Sequence, residues 1–293
     1  MNRMAPLLIL FAAILWGTTG TVQALAPDHA HPIAIGASRL AIGGFFLLFI
    51  LLISRSLSLK NWPIKATLLS ALSIAIYQPL FFSAVMVTGV AVGTVVTIGS
   101  APILSGVLEW LFLKTRPSRI WWYSTILSII GCVLLFANSE SVQVDPLGIL
   151  LSLSAGLMFA SYTLVSRSVV QVQPSLSAVA VIFSLSGLIL SPFLFIFDMS
   201  WITEINGLVA SLHLGVVATA LAYFMFAQGL KQVTSSTAVT LTLAEPLTAA
   251  ILGVFLLGEV LSVTSWIGMV FIFLGIVVLV TSTRKRIKKT AVQ

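Results

Sequence analysis

Residues 92–113 read VGTVVTIGSAPILSGVLEWLFL, an apolar run of 22 residues that contains one charged side chain, Glu109. At a rise of 1.5 Å per residue, a helix of this length measures about 33 Å, which matches the hydrocarbon core of a bilayer at about 30 Å. Lipid offers no hydrogen-bond partners to peptide groups, so a run of this kind must be helical. The stretch therefore predicts a transmembrane helix.

The rest of the chain has the same character. Its 293 residues are 59% hydrophobic and 8% charged, whereas soluble domains carry about 25% charged residues. The single cysteine, Cys132, excludes a disulfide framework and a cysteine-based metal site, and we expect no cofactor and no metal. We predict an all-α integral membrane protein whose ten transmembrane helices occupy residues 6–25, 33–53, 66–87, 92–113, 120–137, 147–165, 176–197, 208–228, 235–257 and 263–281.

The first run has a second interpretation. Asn2 and Arg3 precede it and Ala24-Leu25-Ala26 resembles a cleavage site, as in a secretory signal peptide. Against that interpretation, the run is long for a signal core, and Trp16-Gly17-Thr18-Thr19-Gly20-Thr21 is too polar for one. We therefore favour a transmembrane helix.

The distribution of charge predicts an orientation. With a cytoplasmic N-terminus, 14 of the 15 basic residues fall in cytoplasmic segments, and the exception, Arg39, lies within the second span. The outer connections then contain six acidic residues and no Lys or Arg, as the positive-inside rule requires. Both termini are therefore predicted to be cytoplasmic. The basic tail at 284–289 is expected to contact anionic membrane lipid, which accounts for the net charge without a nucleic-acid partner.

The two halves of the chain share a pattern. Residues 87–135 align with 231–279 at an offset of 144, which pairs Pro102 with Pro246, and 12–20 align with 155–163 at an offset of 143. Each half contains five spans, and because five is odd, the halves enter the membrane in opposite senses. We predict two inverted five-helix repeats, residues 1–143 and 144–293. Inverted repeats are typical of carriers that alternate access; a duplication that only builds a stable bundle is the alternative.

Several short motifs resemble those of EamA-type members of the drug/metabolite transporter superfamily: Leu15-Trp16-Gly17, Arg39-Leu40, Thr88-Gly89-Val90-Ala91, Ala244-Glu245-Pro246-Leu247 and Leu257-Gly258-Glu259. The resemblance implies a ten-helix carrier, commonly an exporter of amino acids, related metabolites or drugs, here in a bacterial plasma membrane. Members often repeat the Gly-Glu pair after the fourth span, where this chain has Lys114-Thr115. The first half therefore has no carboxylate at that point.

Glu245 lies about half-way along the ninth span, where a charge is costly enough to indicate function. We predict that it binds a substrate amine or a proton; the alternative is a hydrogen bond to a neighbouring helix in a packing seam. The adjacent Pro246 is expected to interrupt the helix and free the carbonyls near Leu241 and Thr242 for a ligand. Pro102 is expected to do the same in the matching helix, so both prolines are predicted to mark helix breaks at one cavity.

Two further charged residues lie within spans. Arg39 has two interpretations: its side chain reaches the membrane interface, or it pairs with a substrate carboxylate. In the second case Arg39 and Glu245 together would suit a zwitterion. Glu109 is expected to pair with Lys114 or Arg116 or to face water, and a gating role is the alternative.

Aromatic and polar side chains near mid-depth are candidates for the walls of a binding cavity, since rings with a polar group suit an amphipathic ligand. Any one of them could equally serve helix packing. With the charged residues above, the predicted substrate-binding set is Trp16, Arg39, Tyr77, Gln78, Tyr162, Tyr223, Thr242 and Glu245.

The motifs of membrane enzymes and ATP-driven pumps are missing from the sequence. It has no His-Glu-x-x-His run, no Gly-x-Ser-x-Gly elbow and no phosphate-binding Gly-x-x-x-x-Gly-Lys loop. We predict a secondary transporter rather than an enzyme, with a small amphipathic metabolite such as an amino acid as substrate. The direction, export, is what the family resemblance implies. Protons are the candidate coupling ion, and the oligomeric state is left open. A multidrug or cation efflux carrier and a passive facilitative pathway are the alternatives.

Overall fold

A computed structural model describes residues 4–27, 29–54, 60–137, 145–258 and 260–290, and the regular structure within these ranges is helical. Ten of the helices in this part of the chain are long and apolar enough to cross a membrane, which confirms the predicted architecture. They are α1 (Ala5–Gln23), α2 (Pro32–Ile53), α3 (Ile64–Gly89), α4 (Val92–Leu113), α5 (Arg119–Phe136), α6 (Pro146–Val172), α7 (Ser175–Ile196), α8 (Ile205–Leu230), α9 (Ser235–Leu256) and α10 (Val263–Lys285).

Capping side chains fix where several helices begin. Asp145 accepts from the backbone N–H of Leu147 before α6 at 2.7 Å, and Thr234 accepts from Thr237 before α9 at 3.2 Å. The first N–H groups of a helix have no partner within it, so these acceptors stabilise the start. Pro146, which has no N–H to satisfy, occupies the first position of α6.

Helices α3 and α4 join through a single residue of non-helical geometry. Gly89 has φ 81° and ψ 162°, a conformation that side-chain-bearing residues rarely adopt. A turn this tight keeps α4 beside α3 without a loop.

The principal helix contacts join the first half of the chain to the second. α1 packs against α8 and α9, as α6 packs against α3 and α4, while α2 pairs with α7 and α5 pairs with α10. The two halves therefore form one bundle with a shared interface.

The contact between α2 and α7 is reciprocal. A Cβ atom added to Gly44 would lie 2.6 Å from the backbone nitrogen of Ser184, and one added to Gly187 would lie 3.2 Å from that of Ala41. Gly187 and Ser184 follow Gly44 and Ala41 by 143 positions. Equivalent residues of the two halves thus face each other, as they do across a two-fold axis.

The contact between α5 and α10 repeats this arrangement. A Cβ added to Gly131 would lie 2.6 Å from the carbonyl oxygen of Gly268, and one added to Gly275 would lie 2.8 Å from that of Ser124. These two pairs are related by the offset of 144. Glycine is required here because the backbones of α5 and α10 approach too closely for a side chain.

Replacing Gly131 with alanine should therefore destabilise the bundle. The added methyl group overlaps a backbone carbonyl that cannot move alone, so we expect the free energy of unfolding to fall by about 1–3 kcal/mol. The matched control is Gly20→Ala, because a Cβ at Gly20 meets open space. Thermal melts in detergent check this, and equal melting temperatures for the two variants would contradict the close packing.

A cavity between the two halves

A cavity of about 940 Å³ lies within the bundle and is lined by side chains from both halves of the chain. Its volume is at the upper end of the range found for small-molecule sites, about 300–1,000 Å³.

One end of the cavity is open. Ala26, Pro27 and Ala30 in the α1–α2 connection line it there, together with Leu261 and Ser262 in the α9–α10 connection. We call the face that carries these two connections the mouth face. The other end of the cavity lies among residues in the middle of the helices. The cavity is therefore a funnel that opens on one side of the bundle.

Aromatic rings form the inner part of the funnel. The ring centroid of Trp16 lies 4.6 Å from that of Tyr223 and 6.0 Å from that of Phe159. Tyr77 lies 5.8 Å from Phe159. Trp16, Tyr77 and Tyr223, which the sequence suggested, line the cavity together with Phe159.

Tyr162 does not line the cavity, so its predicted position is wrong. It is 1% exposed and packs behind the wall, 5.8 Å from Tyr223 and 6.0 Å from Phe183. Phe159, about one turn earlier on α6, takes the place at the cavity. The repeat contained the signal for this, since the offset of 143 pairs Phe159 with Trp16.

The Arg39 side chain is held at the cavity wall and does not reach the membrane interface. It is 8% exposed; its Nε donates to the Thr219 hydroxyl at 3.1 Å and its Nη2 to the Ala218 carbonyl at 3.4 Å. Both acceptors belong to a π-helical segment of α8, His213–Leu221. π-Helical segments are rare and occur frequently at functional sites. Here the segment provides both hydrogen-bond acceptors of the Arg39 guanidinium.

Glu245 lines the cavity next to a break in α9. A short helix, Ser235–Leu241, ends there and a second helix, Ala244–Leu257, begins. The Thr242 hydroxyl, also on the cavity, donates to the Val239 carbonyl at 2.7 Å. The Thr242 carbonyl accepts from the Glu245 N–H at 2.9 Å, so one of the carbonyls predicted to be freed already has one partner. Within the described part of the chain, the Glu245 carboxylate has no hydrogen bond or ion pair.

The two prolines differ in their surroundings. Pro246 lines the cavity beside the break, whereas Pro102 is buried and does not, its neighbour Ala101 taking that place. Along α3 and α4, Gly89 has non-helical dihedral angles and Pro102 does not. The predicted break at Pro102 is therefore wrong. A proline removes one backbone hydrogen bond, and the rest of α4 maintains the helix.

Gln78 borders the cavity at 2% exposure, and neither its amide nitrogen nor its amide oxygen has a hydrogen-bond partner among the described residues. The indole N–H of Trp16 is likewise unpaired. Unpaired buried polar groups are costly, so these two side chains favour a ligand that can bond to them.

The face opposite the mouth, where residues 60–63, 114–118, 173–174 and 231–234 connect the helices, is closed. Residues 235–244 of α9, which lead from it to the cavity, are all buried. We call it the closed face.

The two faces differ in charge. In the described ranges the mouth face carries Asp145, Asp198 and Glu204 and no Lys or Arg, while the described basic residues other than Arg39 lie towards the closed face. Two hydrogen bonds from Ser200, each 2.8 Å, keep the pKa of Asp198 below its usual value, so that carboxylate stays negative. The remaining charges of the sequence pattern lie outside the described residues: Arg3, Asp28, Arg55, Glu140, Glu259 and the side chains of Arg286, Lys288 and Lys289.

Glu109 is buried, contrary to the expectation of a local pair or exposure to water. It is 2% exposed, and its Oε2 accepts from the backbone N–H of Ser236 on α9 at 3.2 Å. Arg116 instead places its guanidinium 5.9 Å from the Trp110 ring. Sequence spacing along α4 could not reveal a partner 127 positions away.

Thr219→Val should measure how firmly α8 holds Arg39. Valine preserves the shape but removes the acceptor, so we expect the free energy of unfolding to fall by about 1.5–3 kcal/mol, the range for hydrogen bonds to charged groups. Thr163→Val is the matched control, because that buried hydroxyl bonds only within its own helix, to Phe159. Chemical or thermal denaturation compares the two, and an equal loss would mean that Arg39 gains nothing from Thr219.

The EamA-like transporter family profile matches residues 3–137 and again residues 146–281. The Bacillus subtilis (strain 168) protein named uncharacterized transporter YwfM is 52% identical over 285 residues, covering 97% of this chain and 96% of its own length. Protein PecM of Dickeya dadantii (strain 3937) is 26% identical and covers 95% and 94% of the two chains. A solved crystal structure superposes with a TM-score of 0.83 at 19% identity, over 97% of this chain and 99% of that chain, which supports the fold. The chain is a multi-pass membrane transporter and belongs to the EamA-like transporter family.

Proposed function

We propose that the protein is a secondary carrier that binds a zwitterionic, amphipathic metabolite of the amino-acid class in the cavity and exports it across a bacterial plasma membrane. One observation carries the proposal: Arg39 and Glu245 line the same cavity and form no ion pair with each other. The contact of His29 with Glu204, 3.4 Å between Nε2 and Oε1, lies elsewhere and is an ion pair only when His29 is protonated.

The charges specify the two ends of the ligand. A charge buried among membrane helices is costly unless it is compensated. Arg39 bonds to a neutral hydroxyl and a neutral carbonyl, and Glu245 bonds to nothing described. A ligand carrying a carboxylate and an ammonium group compensates both charges at once.

The cavity walls suit the remainder of such a ligand. Trp16, Tyr77, Phe159 and Tyr223 offer aromatic surface to an apolar side chain. Gln78, with its unpaired amide, and the Trp16 indole N–H add hydrogen-bonding capacity. The combination favours an amphipathic metabolite over an ion or a sugar.

Transport requires the closed face to open when the mouth face closes. The reciprocal contacts of α2 with α7 and of α5 with α10 support two inverted repeats, which can exchange conformations to expose the cavity alternately. The basic residues at the closed face support a cytoplasmic assignment for that face and for both termini. The cavity would then be open to the outside, where an exported substrate leaves.

Ligand binding to the purified protein tests the charge assignment. Phenylalanine should protect the protein from heat better than 3-phenylpropionate, which lacks the amine, or phenethylamine, which lacks the carboxylate. Glu245→Gln should abolish the preference for the amine and Arg39→Met the preference for the carboxylate. Each should cost about 10- to 100-fold in affinity, since a charged hydrogen bond contributes about 1.5–3 kcal/mol.

Glu109→Gln is the control for that experiment, because it changes a buried carboxylate that does not line the cavity and should leave both preferences intact. Stronger protection of the wild type by phenethylamine than by phenylalanine would instead support the alternative of cation efflux, to which an acidic residue among aromatic rings is also suited.

Transport in proteoliposomes tests the coupling. Unlabelled substrate on the far side should accelerate uptake of labelled substrate through a carrier, whereas a passive pore shows no such counterflow. With Glu245 as the proton site, an imposed pH gradient should drive transport by the wild type but not by Glu245→Gln. The variant should retain counterflow when the substrate concentration is raised to offset its weaker binding. A Glu245→Gln variant that responds to the gradient like the wild type would exclude Glu245 from proton coupling.

A further inference from the structure

We infer that Glu109, Arg167 and Gln171 form a clamp that holds the closed face shut and so keeps the cavity open at the mouth face. We call this set the closed-face clamp. The inference rests on the proposed alternation of access and identifies the contacts that bias it.

Two members of the clamp hold the connection that leads into α9. Arg167 donates from Nε to the Val233 carbonyl at 2.8 Å, and Gln171 donates from its amide to the Lys231 carbonyl at 2.8 Å. Both side chains come from the end of α6, which continues to Val172 rather than stopping near 165 as predicted. They fix the backbone of this connection within the second half.

Glu109 then ties that connection to the first half. Its carboxylate accepts from the N–H of Ser236 across the contact between α4 and α9. A deeper hydroxyl pair, Thr125 on α5 with Thr240 on α9 at 3.0 Å, also crosses between the halves and is fully buried. Opening the closed face requires α9 to separate from α4. Of these two hydrogen bonds between the halves, the one from Glu109 lies nearer to the closed face.

Two of the three clamp residues, Glu109 and Arg167, have no equivalent side chain at the mouth face. At the offsets of the repeat, Gly253 corresponds to Glu109 and Ala24 corresponds to Arg167, while Gln171 corresponds to Asp28, which lies outside the described residues. Neither glycine nor alanine offers a side chain that could bond to a facing backbone. The bond that Glu109 forms between the halves therefore has no counterpart at the mouth face, and this difference favours the arrangement with the mouth open.

Cysteine accessibility in nanodiscs, where a maleimide reagent reaches both faces, tests the clamp. The background is Cys132→Ala, which removes the natural cysteine. Ser105→Cys reports on the closed face, because Ser105 is 0% exposed and lies one turn deeper than Glu109 on α4. Thr94→Cys, on the cavity wall near the mouth, reports on the opposite side.

Adding Glu109→Ala should raise the alkylation rate of the Ser105→Cys protein about tenfold or more and lower that of the Thr94→Cys protein. Glu109→Gln keeps a neutral acceptor for the Ser236 N–H and should raise the rate at Ser105→Cys less than Glu109→Ala does. Ser186→Ala is the matched control: it loses a buried hydrogen bond between the halves, to the Ala71 carbonyl at 3.0 Å, that does not involve α9. It should change neither rate.

An unchanged rate at Ser105→Cys overturns the clamp. So does a rise at both reporter positions, because loss of the fold exposes both sides whereas release of a clamp exposes one and covers the other. Labelling needs no substrate, so a failure of the proposed substrate class in the binding experiment and a failure of the clamp remain distinguishable.

Discussion

Peptide groups inside a bilayer have no solvent to bond to, so a chain that crosses it must satisfy its hydrogen bonds within helices. Departures from helical geometry persist only where protein or an aqueous cavity faces them. The bundle has two such departures at its centre, the π-helical segment of α8 and the break in α9 before Glu245. One holds Arg39 in place and the other presents Glu245, so the irregular backbone and the buried charges occur together at one cavity.

The position of this cavity between the two halves relates the fold to the proposed transport cycle. Close glycine contacts join the halves along α2–α7 and α5–α10 and leave no space there, while the cavity opens between α1, α3, α4 and α9. In the alternating-access cycle proposed above, the halves move about these close contacts. In the same proposal the closed-face clamp sets which side of the cavity is exposed at rest, because Glu109 corresponds to Gly253 in the second half.

Hydropathy alone was sufficient to predict the ten helices, since bilayer thickness fixes their length and lipid excludes other structures. The sequence was sufficient to select four residues that line the cavity, because polar and ring-bearing side chains are conspicuous within long apolar runs: Trp16, Tyr77, Tyr223 and Glu245. Tyr162 was misplaced because the rotation of α6 depends on packing, and a shift of about one turn puts Phe159 on the cavity instead.

Tertiary contacts explain the other differences. The site of Arg39 depends on a π-helical segment nearly 180 residues away, and the burial of Glu109 depends on α9. Neither contact produces a pattern in the sequence around the residue itself. The repeat pairs Pro102 with Pro246 in sequence, but the helix is interrupted at only one of the two, because the surrounding structure decides whether a proline breaks a helix.

The central claim is that Arg39 and Glu245 bind the two ends of one zwitterion. A structure determined with a bound amino acid tests it most directly. The account predicts the ligand carboxylate within hydrogen-bonding distance of the Arg39 guanidinium and the ammonium group within the same distance of the Glu245 carboxylate, with the side chain among Trp16, Phe159 and Tyr223. A ligand bound outside this cavity, or bound inside it with neither charge engaged, would contradict the account.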